Sequence, residues 1–157
     1  ELTLKDGKLY QYPVPAIKNL RTDEQPFTAL AESKNSYELE LKLAADTEHE
    51  IVLFADKDGK GLRINLDLKA GQVTVDRSQA GEPFALDFGT SRSCDIDKEA
   101  TSATIFIDKS IFEIFINKGE KVFSGRVFPR EDQTGIAITK GNPTGTYYEL
   151  DYGRKAN

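Results

Sequence analysis

A chain of 157 residues has the size of one ordinary domain, long enough to bury about 70% of its unfolded surface without help from disulfides. Lys and Arg number 21 against 26 Asp and Glu, a net charge of -5, and this evenly mixed acidic balance argues against a phosphate-backbone binder, which needs a clustered basic face. Hydrophobic residues make up 38%, with nine Phe and six Tyr but no Trp or Met, the balance of a globular β protein rather than a disordered or helical one. Cys94 stands alone, so neither a disulfide framework nor a CxxC metal or redox pair can be built, and a cytoplasmic location is expected. No apolar run reaches the roughly eighteen residues of a membrane span, so no membrane partner is expected. The chain starts without methionine and inside strand-like sequence, from which a piece of a longer protein is expected.

In chain order, Glu1 to Tyr12 reads as two short strands around a turn at Asp6 and Gly7, a pair suited to positive φ. Pro13 and Pro15 remove two backbone donors and make a connector, after which Ala16 to Arg21 can form at most a helical turn or two. A meander follows: Phe27 to Ala31, Ser36 to Leu43, Glu50 to Ala55, Leu62 to Leu68 and Gln72 to Arg77. In it Leu39, Leu41 and Leu43 alternate with Glu38, Glu40 and Lys42, and Leu62, Ile64, Leu66 and Leu68 with Arg63, Asn65 and Asp67, predicting one dry and one wet face per strand. Gly81 to Glu99 is polar and reads as a long loop with room for one strand.

From Ala103 to Pro129 two strand-like runs meet at Lys109 and Ser110, and a third follows a turn at Asn117, Lys118 and Gly119. Phe112, Ile114 and Ile116 alternate with Glu113, Phe115 and Asn117, so apolar side chains fall on both faces, the pattern of a strand between two layers. Final strands are expected at Gly135 to Thr139 and Thr146 to Tyr152. About ten short strands with frequent turn signals and no amphipathic helix predict an all-β fold, a two-sheet antiparallel β-sandwich of jelly-roll or concanavalin-like type.

Side chains that could carry chemistry are few. His49 is the only histidine; a Ser-His-Asp or Cys-His arrangement would have to use it, but GxSxG is absent and a lone His at a strand edge reads as solvated. Asp56 to Gly61, DKDGKG, starts like a calcium loop but lacks the third ligand before its glycine and the closing Glu, so a charged turn is the better reading. Neither a metal site nor a cofactor loop is expected. Asp76, Arg77, Arg92, Asp108 and Glu113 lie in or near apolar strands: paired carboxylates can work on glycosides, and the same groups with Arg77 and Arg92 can form a structural salt-bridge network, the favoured reading. Among the tyrosines, Tyr147 and Tyr148 could stack on sugar rings, although core packing fits strand tyrosines better.

Several of these pieces occur together in one order: VTVDRSQAG at Val73 to Gly81, the isolated Arg92, then TIFIDKSIFEIFINKGEKVFSGRVFP at Thr104 to Pro129. They resemble the C-terminal β-sandwich of glycoside hydrolase family 32, the invertase and levanase family, and the opening ELTLKDGKLYQYPVPAIKNLR resembles the segment by which these enzymes leave their catalytic domain. The likeness covers nearly the whole chain. It implies that residues 1–20 are the end of a catalytic propeller and a linker, with the sandwich at 21–157. The implied partner is the chain's own N-terminal five-bladed β-propeller, and a homodimer is compatible with it. In the family that propeller hydrolyses β-fructofuranosides with retention, bacterial members acting on sucrose or its 6-phosphate, through carboxylates in N-D-P-N-G, R-D-P and E-C motifs. None of the three motifs is present, and Cys94 follows Ser93 rather than Glu. The resemblance therefore implies a non-catalytic module in which Asp76, Arg77, Arg92, Asp108 and Glu113 are structural or interfacial, and the rival expectation is a lectin-like module that binds fructan or another sugar.

Overall fold

The computed structural model describes residues 1–151. A hairpin comes first, β1 (Leu2–Lys5) and β2 (Lys8–Gln11), closed by Asp6 and Gly7 at φ 50° and 75°, the left-handed pair that a two-residue hairpin turn requires. A 3₁₀ turn at Pro15–Leu20 leads into β3 (Arg21–Pro26). The remaining strands are β4 (Ser36–Lys42), β5 (Glu48–Ala55), β6 (Leu62–Asp67), β7 (Gln72–Asp76), β8 (Ser91–Asp95), β9 (Ser102–Asp108), β10 (Ile111–Ile116), β11 (Lys121–Arg126), β12 (Gly135–Lys140) and β13 (Thr144–Leu150). They form a six-stranded sheet in the order β11-β10-β9-β4-β13-β3 and a five-stranded sheet in the order β12-β5-β6-β7-β8. Every pairing is antiparallel. The predicted all-β sandwich is the fold.

Period-two alternation builds the core. Tyr37, Leu39 and Leu41 of β4 lie in register with Ile107, Ile105 and Ala103 of β9, and these with Phe112, Ile114 and Ile116 of β10, so one face of the six-stranded sheet is continuously apolar. Ile51, Leu53, Leu62, Ile64, Leu66, Val73 and Val75 of the other sheet close on it. Predicted apolar character on both faces of β10 is also realised: Phe115 is buried on the outer face, beside Phe106 of β9.

Three expectations are corrected. The strand predicted at Phe27 to Ala31 lies instead at Arg21–Pro26, and the former segment contributes only the bridge Leu30↔Ile136. β3 escapes a pattern search because it is an edge strand of polar residues ending in proline, held by its ladder to β13 rather than by buried side chains. The predicted wet face of β4 is dry at one position: Glu38 is 2% exposed, while Glu40 is half-buried and Lys42 exposed. The last strand ends at Leu150, and Tyr152 lies outside the described residues.

Candidate functional site

The opening hairpin is seated on the outer face of the six-stranded sheet. Tyr12, just past β2, places its hydroxyl 2.8 Å from Thr104 Oγ1 and its ring edge-on to Phe115, centroids 5.6 Å apart. The amide of Gln11 donates to the carbonyl of Gly119 at 3.1 Å, and Lys8 Nζ pairs with Glu120 at 2.8 Å. Gly119 has φ 93°, and a Cβ there would run into the backbone of Gln11, so this glycine permits the close approach. The register puts Leu2, Leu4 and Leu9 on one side of the hairpin, where they are 68%, 74% and 60% exposed. The hairpin thus presents an exposed apolar face that its own sheet does not cover.

Beside it runs a charged strap. Arg21, at the start of β3, reaches across β13 to β4, donating from Nε and Nη2 to the two oxygens of Glu38 at 2.8 and 2.6 Å and from Nη2 to Glu40 at 2.6 Å. Its guanidinium lies 3.8 Å from the centroid of the Tyr148 ring. The hydrogen bonds it donates to Glu38 hold the Arg21 guanidinium above its ordinary pKa against the opposing effect of burial. Nothing in the local sequence signals this unit, because its members stand on three strands and Glu38 has the spacing of a solvent-facing residue.

Asp76, Arg77, Arg92, Asp108 and Glu113 do not form the single salt-bridge network expected of them. Asp76 accepts from the amide and hydroxyl of Ser78, Asp108 from Ser36 Oγ at 3.0 Å, and Glu113 from Ser124 Oγ at 3.4 Å. Register separates them, Asp108 and Glu113 being in the six-stranded sheet and Asp76 in the other. Only the arginines come together. Arg77 donates to the carbonyls of Phe84, Ala85 and Gly89 and lies over the Phe84 ring at 4.4 Å; Arg92 donates to the carbonyls of Ser91 and Phe88. Together they shape the loop between β7 and β8. The sandwich opens there, at the seam between its edge strands β8 and β11, into a cleft of about 200 Å³.

Of the two tyrosines weighed for sugar stacking, Tyr147 follows the favoured core-packing reading and Tyr148 carries a cation on its ring. Tyr147 is 2% exposed and stacked on Tyr37 at 5.2 Å, its hydroxyl accepting from the Lys34 amide, so it has no free ring face. Tyr148 presents a face already occupied by Arg21. His49 is fully buried rather than solvated, its Nε2 accepting from the Ala44 amide at 3.0 Å, because the turn after β4 folds over it. Cys94 is half-buried against the core, and burial pushes its thiol pKa up, away from a reactive thiolate. Asp56 caps its own turn through the amides of Asp58 and Lys60, both at 2.9 Å. Among the described residues no three His, Cys, Asp or Glu are grouped to hold a metal ion, and no helix is long and apolar enough to cross a membrane.

Comparison with known proteins matches this architecture. The family model described as "Glycosyl hydrolases family 32 C terminal" matches residues 11–152. A sucrose-6-phosphate hydrolase of Streptococcus mutans serotype c is 57% identical over 152 residues, covering 97% of this chain and 32% of that protein. A raffinose invertase of Escherichia coli is 31% identical, covering 88% of this chain and 30% of its own length. Among solved structures, a sucrose-6-phosphate hydrolase from Lactobacillus gasseri superposes with a TM-score of 0.87 at 34% identity, over 96% of this chain and 32% of that one. The chain thus spans about a third of the length of these relatives. By the match across its sandwich and the order of its motifs, the chain belongs to glycoside hydrolase family 32, as the C-terminal domain of that family.

Proposed function

We propose that this chain is the non-catalytic C-terminal module of a β-fructofuranosidase acting with retention on sucrose or sucrose 6-phosphate, and that it supports a five-bladed catalytic propeller in the cytoplasm. Residues 1–20 are the end of that propeller with its linker, and 21–157 are the sandwich. The observation that carries this reading is the hairpin: it pairs only with itself among the described strands, is pinned to the sandwich through Tyr12 and Gly119, and turns Leu2, Leu4 and Leu9 outward. That the chain matches about a third of its relatives' length, by a family model for their C-terminal part, supports the propeller as occupant of that face. Glu113, on the same outer face through its register with Phe106, belongs to the proposed contact.

Incubation of the chain with sucrose and with sucrose 6-phosphate is expected to release no fructose, and stoichiometric release would overturn the reading. The partner is tested by co-expressing the family's propeller region with this chain. Leu4→Asp and Leu9→Asp together are expected to abolish co-purification while leaving the melting temperature of the sandwich unchanged; retained co-purification counts against the hairpin as the docking surface. Sedimentation of the same complex reads out whether a homodimer forms.

A further inference from the structure

The cleft at the β8–β11 seam is built unlike the rest of the interior. Register places Arg92 beside Val75 and next but one to Cys94, on the side of β8 that faces the other sheet, and Arg77 continues the inward series of Val73 and Val75. Arg92 thus occupies the inward register of β8 with an exposed, solvent-reaching side chain, and Arg77 follows directly on the end of β7, half-buried. Across the seam stand Phe123, Gly125 and a third cation, Arg126, and Phe84 and Phe88 line the cleft from the β7–β8 side. Gly125 lets the Phe112 ring pack directly against the β11 backbone, where a Cβ would collide with it, and that ring lines the cleft.

Charge is not balanced inside this cleft. Among the described residues Arg77 and Arg92 hydrogen-bond only to neutral carbonyls, and no Asp or Glu lines the space. Each guanidinium has five donor N–H groups; Arg77 uses three and Arg92 two, leaving donors from both for a ligand. Phe88 is 76% exposed, so a ring surface stands at the rim with nothing against it. Fixed guanidinium forks recognise phosphate oxygens, and phenyl faces pack against the C–H face of a sugar. The volume of about 200 Å³ falls below that of drug-sized sites, which limits the cleft to a small ligand.

We propose that the β8–β11 seam cleft is a binding site for a phosphorylated monosaccharide, its phosphate held by Arg77 and Arg92 and its ring against Phe88. The site stands on this chain's own residues and does not depend on the propeller reading.

Titration of the 157-residue chain with glucose 6-phosphate, followed by two-dimensional NMR, is expected to give saturable shifts of the Arg77 and Arg92 Nε–H signals and of the Phe88, Gly89 and Thr90 amides. Glucose should shift none of them. Inorganic phosphate should shift the arginine signals alone and bind at least about tenfold more weakly. Phe88→Ser alters an exposed side chain, so the fold is kept; it should weaken glucose 6-phosphate about tenfold and leave inorganic phosphate unchanged. Arg92→Gln should abolish both. The proposal is overturned if glucose 6-phosphate produces no saturable shift in this cleft, if it binds no tighter than inorganic phosphate, or if Phe88→Ser leaves its affinity unchanged.

Discussion

Removing the guanidinium of Arg21 strands a carboxylate that the fold has already taken out of water. Glu38 is 2% exposed and both of its carboxylate oxygens accept from Arg21, whereas Lys18 lies 3.9 Å from Glu40. Breaking a buried pair from one side costs about 3–5 kcal/mol, because the partner stays buried and uncompensated, whereas an exposed pair contributes less than about 1 kcal/mol. Arg21 itself is only 16% exposed and its ring partner Tyr148 loses a stacked cation as well, so the buried figure applies. Arg21→Met is therefore expected to lose about 3–5 kcal/mol in urea unfolding followed by far-ultraviolet circular dichroism, roughly a 10 °C fall in melting temperature for a chain of this length. The double variant Arg21→Met/Glu38→Leu should recover to within about 1.5 kcal/mol of the parent, since two apolar groups satisfy one another where one charge cannot. A single-variant loss below about 1 kcal/mol, or a double variant no better than the single, would refute the view that Arg21 acts by neutralising Glu38.

Gly119→Ala places a Cβ against the Gln11 backbone at φ 93° and should release the hairpin alone, so hydrogen exchange is expected to accelerate across Leu2–Gln11 while Ser102–Ile116 keeps its protection; equal protection before and after would remove Gly119 as the seat of the hairpin. In the parent, exchange across Leu2–Gln11 is expected to exceed that of β9 and β10. For pH, burial pushes the Glu50 carboxyl up, but hydrogen bonds from Thr139, Asn65 and Arg63 outweigh it and leave the group below its ordinary value. A carboxyl lowered by folding contributes stability that is present above its unfolded pKa of about 4.3 and lost as pH falls through the folded value, so stability should decline below about pH 4.5, and less steeply in Glu50→Gln. Identical slopes for parent and variant would discard Glu50 as a contributor.

Much of the architecture was legible because a strand with a buried face advertises it at every second residue. Leu39 and Leu41, Leu62 to Leu66, and Ile105 with Ile107 needed no partner to be recognised, nor did the turns at Asp6–Gly7 and Lys109–Ser110, whose strands pair in the register those turns dictate. β3 was illegible for the converse reason: its polar residues are ordered by backbone bonds to β13, and those bonds leave no trace in side-chain identity.

The sites divide along the same line. Sequence by itself determined the sandwich, the family and the order of its motifs, since these rest on local periodicity and on short runs of residues. Only the tertiary structure decided that Glu38 is buried under Arg21, that Tyr147 packs in the core against Tyr37, and that Arg77 and Arg92 meet at a seam while Asp108 and Glu113 stand in the other sheet. Each of these depends on which strands become neighbours. Strand order is set by burying two whole faces against each other, a condition that no single stretch of the chain can express.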